Sequence, residues 1–365
     1  MIGKVPGFVC ALVLLCNILP AVSSDFSIQK QKLKLSLEYE NFVDTDQDEI
    51  TTSGFKATYL LHAQAKLADK MILDLDYQTG AKTNFYRHFN AGDLSALIWS
   101  NRANATVTVP FRKAYLSGTF YFSDKLFSEV PPENQFVDIF GGVGFRQFSG
   151  AFQAGYRITP LWEISGGLQA SDTNFDEFDE SNSNWRGASL RLTRKIGDIK
   201  INGDYRFRSI DYNRPVTLTP VPLVNSDSID FQHDRLQELG VNVEFYRTVY
   251  FSGGYSYQIN DSNNPGFTYR NHRITFLIGT ELTHDFHLQA YGILQLQSFL
   301  EEDVPLEFPI VLDENDNNTM AASLVKMLGK SREIEIGLQR YVHNSSFTEL
   351  NASKYILYVA YNFRF

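Results

Sequence analysis

The sequence predicts an all-β protein: a membrane-spanning, antiparallel up-and-down β-barrel of about 16 strands, within a range of 14–18. Three observations predict it. Apolar and polar residues alternate with period two in one segment after another, short and long connections alternate between those segments, and no apolar run after residue 24 is long enough for a spanning helix. A bilayer is crossed only by helices or closed barrels, because its core holds no water to satisfy backbone groups. With helices excluded, a membrane address for this chain means a barrel.

The chain opens with one lysine, Lys4, an apolar run from Phe8 to Leu19, then Pro20 and the small residues Ala21-Val-Ser-Ser24 before Asp25. That is the charge, length and cleavage chemistry of a secretory signal peptide, so residues 1–24 are expected to be removed and 25–365 to form a single barrel domain. The run is too short for a membrane anchor and is broken by Asn17. Both cysteines, Cys10 and Cys16, lie inside it, which leaves the mature chain without a disulfide or thiolate metal site. Cleavage also removes Lys4, leaving 32 Lys and Arg against 42 Asp and Glu. A chain this acidic is expected to have no nucleic-acid partner, which would call for a basic stripe.

The first strand sets Leu33, Leu35, Leu37 and Tyr39 against Lys32, Lys34, Ser36, Glu38 and Glu40. After the polar loop Asp44–Glu49 the chain returns with Phe55, Ala57, Tyr59, Leu61, Ala63 and Ala65 opposite Lys56, Thr58, His62, Gln64 and Lys66. A tight turn at Ala68–Lys70 leads to Leu73, Leu75 and Tyr77 against Asp74 and Asp76. Further short turns are expected near Pro110–Lys113, Thr159-Pro160, Lys195–Asp198, Tyr246–Thr248, Thr283–Asp285 and Leu328–Ser331. Longer polar loops are expected at about 84–93, 124–134, 173–184, 213–230, 260–268, 299–317 and 343–351. Seven short turns and eight long loops, with both ends on the short-turn side, give sixteen strands. The stretches 134–158 and 299–328 fit this grammar least well.

Chemistry assigns the faces. In Ile199–Tyr212, Lys200, Asn202, Asp204, Arg206 and Arg208 alternate with Ile199, Ile201, Gly203, Tyr205 and Phe207. An Arg or Lys on the lipid face at the midplane costs about 2–4 kcal/mol, so the polar set is expected to face a water-filled lumen. The same logic puts Ser252, Ser256, Gln258, His287, Gln289, Gln295, Gln297, Glu333, Glu335 and Gln339 inward. Lys32, Lys34, Glu38, Lys56, Asp74, Asp76, Glu163, Arg191, Glu244, Arg273, Glu281 and Arg364 complete the expected charged lining, which carries both signs. Tyrosines near strand ends, Tyr246, Tyr250, Tyr255, Tyr257, Tyr355, Tyr358 and Tyr361, suit membrane-interface girdles.

The chain closes on Tyr355-Ile-Leu-Tyr-Val-Ala-Tyr-Asn-Phe-Arg-Phe365, where Leu357, Val359, Tyr361, Phe363 and Phe365 share one face and Asn362 and Arg364 the other. This resembles the C-terminal assembly signal of Gram-negative outer-membrane barrels. With the leader and segments such as Phe251–Asn264, the whole mature chain resembles the porin-like outer-membrane β-barrels, particularly the loosely defined β-barrel porin 2 group. The resemblance implies residence in the outer membrane among its lipids and lipopolysaccharide, handling by the barrel-assembly machinery, passage of solutes or polymers, and no cofactor. It departs from trimeric general porins in lacking an obvious long acidic constriction loop after the fifth strand.

Catalytic patterns are thin. His343-Asn-Ser345 has the His-x-Ser spacing of outer-membrane phospholipases, with Asn351 as a third member, but it opens a loop rich in Asn and Ser, where turn chemistry accounts for it. His88 with Asp93, and His233 with Asp234, offer protease residue types without a motif. His284 and His287 flank a turn and point to opposite faces, and Gly141–Gly144 lacks the Lys-Ser/Thr of a phosphate loop. No catalytic or metal-ligating set is assigned. The reading is a porin-like channel for passage or export through a polar lumen. The alternative is a scaffold barrel housing a periplasmic partner such as a lipoprotein, a cytochrome or a polysaccharide-export component; a lipase or protease ranks third.

Overall fold

Alternating patterns of this kind leave one face of every strand needing an apolar environment, and a closed sheet supplies it by turning that face outward into lipid. The computed structural model describes residues 25–43, 49–68, 70–86, 95–127, 144–176, 179–216, 230–264, 266–283, 285–300, 318–344 and 351–365. The leader, Ser345, His88, Asp93, His284, Gly141 and much of the long connections lie outside these.

Sixteen strands form one closed antiparallel barrel in which each pairs with its sequence neighbours and β1 pairs with β16. They are β1 (Asp25–Val43), β2 (Glu49–Ala68), β3 (Met71–Tyr86), β4 (Ser95–Pro110), β5 (Ala114–Phe127), β6 (Phe145–Arg157), β7 (Trp162–Phe175) and β8 (Ser183–Ile196). The second half comprises β9 (Ile199–Pro215), β10 (Phe231–Tyr246), β11 (Val249–Ser262), β12 (Tyr269–Thr283), β13 (Phe286–Phe299), β14 (Asn318–Met327), β15 (Arg332–Asn344) and β16 (Asn351–Arg364). No α-helix occurs among the described residues. All seven expected short turns join strands, and Gly197 takes the left-handed conformation, φ 57°, that the tight β8–β9 turn requires.

Several strands run further than their sequence pattern suggests. Asp124, expected in a loop, belongs to β5 because it pairs with Arg146 of β6, whose Nε lies 3.3 Å from its carboxylate. Of the two poorly fitting stretches, the first yields β6 from residue 145 onward and the second yields β14 from residue 318.

Register carries one face continuously round the wall. The outward face exposes large apolar side chains, among them Leu168 at 66%, Leu239 at 62% and Leu296 at 73%. A water-soluble barrel would not sustain such a belt, since exposed apolar patches of that extent draw proteins to membranes or partners. On this face Asn101 is paired: it accepts hydrogen bonds from Tyr77 Oη at 3.2 Å and Thr79 Oγ1 at 2.9 Å. The tyrosine girdle needs correction. Tyr255, Tyr257, Tyr355 and Tyr361 keep the outward register, whereas Tyr246, Tyr250 and Tyr358 share the inward register with Glu244, Ser252 and Asn362. Proximity to a strand end does not decide the face; parity does.

Candidate functional site

The inward wall is the candidate site, and its ion pairs among the described residues are gathered into two arcs. The first runs from β15 through β16 and β1 to β3. Here Lys32 Nζ lies 3.2 Å from Glu333, Lys34 Nζ 2.8 Å from Glu335, and Arg364 also pairs with Glu333. The two lysine bridges reach across β16, binding the first strand to the fifteenth at the seam where the barrel closes. Tyr358 Oη donates to Glu335 at 2.7 Å, and Asn362 Nδ2 donates to both glutamates.

Higher on the same arc, Glu40 of β1, 1% exposed, lies between Lys82 of β3 and Lys354 of β16, the latter at 3.0 Å. Glu38 pairs with Lys82 at 2.8 Å and with Lys56 at 4.0 Å. Burying an ion is tolerable only when it is paired and hydrogen-bonded, which this cluster achieves by sharing. On the inner side of β2–β3, Asp76 meets His62 Nδ1 at 2.7 Å and Asp74 accepts from Gln64 at 2.8 Å.

The second arc spans β8–β11, half the circumference away. Arg191 Nε lies 2.5 Å from Asp204, Lys200 3.2 Å from Glu244, and Arg206 3.4 Å from Glu238. Arg208 stacks its guanidinium over Trp185, 4.8 Å from the ring centroid. Between the arcs the inward residues are mainly hydroxyls and amides: Ser117, Thr119, Ser149 and Gln169 on one side, Asn271, Thr275 and Gln289 on the other. Glu163, Arg273 and Glu281 occupy the inward register in these quieter sectors, and Glu163 accepts from Tyr115 Oη at 3.4 Å.

Two inward glycines keep this wall low. At Gly155 and Gly337 the tyrosine directly across, Tyr115 or Tyr358, lies so close that an added Cβ would overlap its ring. The rings therefore lie along the wall instead of standing into the lumen.

The structure thus brings fifteen expected charges into the two arcs, namely Lys32, Lys34, Glu38, Lys56, Asp74, Asp76, Glu333, Glu335, Arg364, Arg191, Lys200, Asp204, Arg206, Arg208 and Glu244. Sequence reasoning passed over Glu238, Lys82 and Lys354. Lys82 sits where β3 loses its alternation in Gln78–Thr83, and Lys354 precedes the stretch in which the closing pattern becomes clear. On the outer face of β16, Leu357, Val359, Tyr361, Phe363 and Phe365 form one line, Phe365 being 74% exposed. Tyr361 and Phe363 meet edge to face at 5.1 Å, and the Phe365 amide donates to the Gln31 carbonyl at 3.2 Å. Among the described residues, no group of His, Cys, Asp or Glu could hold a metal ion.

The architecture is that of a porin-like β-barrel, closed, apolar outside and polar within. No family model matches the chain, and no curated protein matches it. Among solved structures it is similar to a TodX monoaromatic hydrocarbon channel, deltaS2 mutant, at 11% identity over 93% of this chain and 90% of that one, with a TM-score of 0.43. It is also similar to OmpT, an outer membrane protein of Vibrio cholerae in its trimer form, at 10% identity over 93% and 99% of the two chains, TM-score 0.43. Pseudomonas aeruginosa OccK5 gives 11% identity over 94% and 99%, TM-score 0.43. Similarity this distant leaves the function to be argued from this chain's own residues.

Proposed function

We propose that the barrel is an outer-membrane channel that passes polar solutes through a hydrated lumen. The observation that carries this is the two-arc wall: charged pairs on opposite sides, with hydroxyls and amides between them, all held inward by sixteen-strand closure. A barrel of eight strands is filled by its own side chains, whereas sixteen leave an aqueous path. Charges such as Lys56 and Arg191, nearly half exposed on the inward face, are at home only in water. On this reading the short turns face the periplasm and the long loops the exterior. The outward line ending at Phe365 is what the assembly machinery would engage, and lipopolysaccharide and phospholipid cover the belt.

Reconstitution into planar bilayers tests the channel. Discrete conductance steps are expected, and their absence from protein shown to be folded would overturn it. The scaffold reading draws on Arg208 and Arg273, inward guanidiniums that form no ion pair among the described residues and whose Nε atoms have no hydrogen-bond partner. An anionic occupant would satisfy them. A stoichiometric partner purified with the barrel from native membranes would favour that reading over the open pore.

A further inference from the structure

Three side chains on the lipid-facing surface stand in the relation of a nucleophile, a base and its orienting acid. Ser209 and Asp211 are two residues apart on β9 and so project from the same face. His233 lies directly across from Asp211 on β10. Asp211 Oδ1 is 2.6 Å from His233 Nδ1, and Ser209 Oγ is 3.4 Å from His233 Nε2. With Nδ1–H donated to the carboxylate, Nε2 is left as an acceptor aimed at the serine hydroxyl. A nucleophile–base separation somewhat beyond hydrogen-bond optimum is usual before substrate binds.

The imidazole is held at its backbone as well. The His233 amide donates to the Asn263 side chain at 2.7 Å, and the Asn263 amide donates back to the His233 carbonyl at 3.2 Å. Ser209 is flanked on both neighbouring strands by arginine: Arg186 of β8 and Arg235 of β10 are its Cα partners, and both are exposed. Two guanidiniums beside a serine supply donors for an oxyanion and a landing site for an anionic headgroup.

Placement indicates the substrate. Immediately below this row the outward face turns apolar, with Phe207 and Tyr205 on β9, Leu190 on β8 and Leu239 on β10. The serine therefore stands where headgroup meets acyl chain, at the level of a lipid ester.

We propose that Ser209, His233 and Asp211 form a hydrolytic triad acting on acyl esters of membrane lipids. Ser209 Oγ attacks the ester carbonyl carbon while its proton passes to His233 Nε2; the tetrahedral adduct collapses, the C–O bond to the alcohol breaks, and the alcohol leaves with that proton. Water then gives a proton to Nε2 and its oxygen attacks the acyl-serine, releasing the fatty acid and returning the proton to Ser209. Neither half needs an oxidant or a metal, and the activity lies on the opposite face of the wall from the channel. Sequence reading missed it by coupling His233 to Asp234, which points inward to Gln232 and Asn260.

The test is labelling of the purified, folded barrel by a fluorophosphonate, which bonds its phosphorus to an activated serine with loss of fluoride. The wild-type chain should label, and should cleave micellar long-chain p-nitrophenyl esters faster than soluble short-chain ones. Ser209→Ala should reduce both to background, and His233→Asn and Asp211→Asn should each slow ester cleavage by about 10⁴-fold or more, the order of penalty expected for members of such a triad. Heat-modifiable migration confirms that each variant remains a barrel. An unlabelled wild-type protein, or labelling that survives Ser209→Ala, overturns the proposal. Conductance measured on the same preparation reports on the lumen and is independent of this result.

Discussion

Glu40 offers the sharpest energetic test of the closure seam. Its carboxylate, 1% exposed, joins Lys82 of β3 to Lys354 of β16 through β1, so one side chain ties together strands on both sides of the junction. Glu40→Gln keeps the shape and one hydrogen-bond acceptor but removes the charge. At 3.0 Å the pair with Lys354 has a gross Coulomb energy of about 5.5 kcal/mol at an effective dielectric of about 20. Lys82 retains Glu38 at 2.8 Å, so the loss is closer to one buried pair than to two. Removing one partner of a buried pair costs about 3–5 kcal/mol, and the retained amide contact places this variant near the lower bound, about 3 kcal/mol. Urea unfolding from phospholipid vesicles, followed by the fluorescence of Trp99, Trp162 and Trp185, measures it. Combining Glu40→Gln with Lys354→Gln should restore part of the loss, because the second change removes a cation left buried. A Glu40→Gln variant within 1 kcal/mol of wild type would refute the reasoning and show the cluster to be screened by lumen water.

Three other outcomes follow from the same geometry. Leu239→Arg places a charge on the belt at a residue 62% exposed, and should cost about 2–4 kcal/mol in the same vesicle titration, with a smaller effect indicating that this position lies outside the hydrocarbon. Gly337→Ala should push the Tyr358 ring off the wall and break its 2.7 Å bond to Glu335, lowering single-channel conductance; unchanged conductance would mean that the ring does not border the conducting path. Replacing Arg208 and Arg273 together with Gln should shift the reversal potential under a salt gradient toward cation preference, since two inward positive charges without an ion pair among the described residues are lost. A reversal potential that does not move would place both side chains outside the ion path.

How much was legible differs from residue to residue. In Ile199–Arg208 alternation of charge and grease makes face and lumen exposure readable at once, and β9 has them as expected. The same is true of β16, where Leu357 to Phe365 line the outer face. At Lys82 and Lys354 the alternation fails locally, and only their meeting at Glu40 marks them as part of the wall. By residue type Tyr358 suits the membrane interface; its partner Glu335 and the glycine beneath it place it in the lumen.

The sequence by itself determined the class of structure, the parity of most strands, the seven tight turns and a count of about sixteen within 14–18, because period-two patterning and turn chemistry are local properties of the chain. Only the tertiary structure decided which charges meet. Lys32 and Glu333, Glu40 and Lys354, and Ser209, His233 and Asp211 come together through cross-strand register and closure of the last strand on the first, and register between distant strands is set by the whole wall rather than by any one segment.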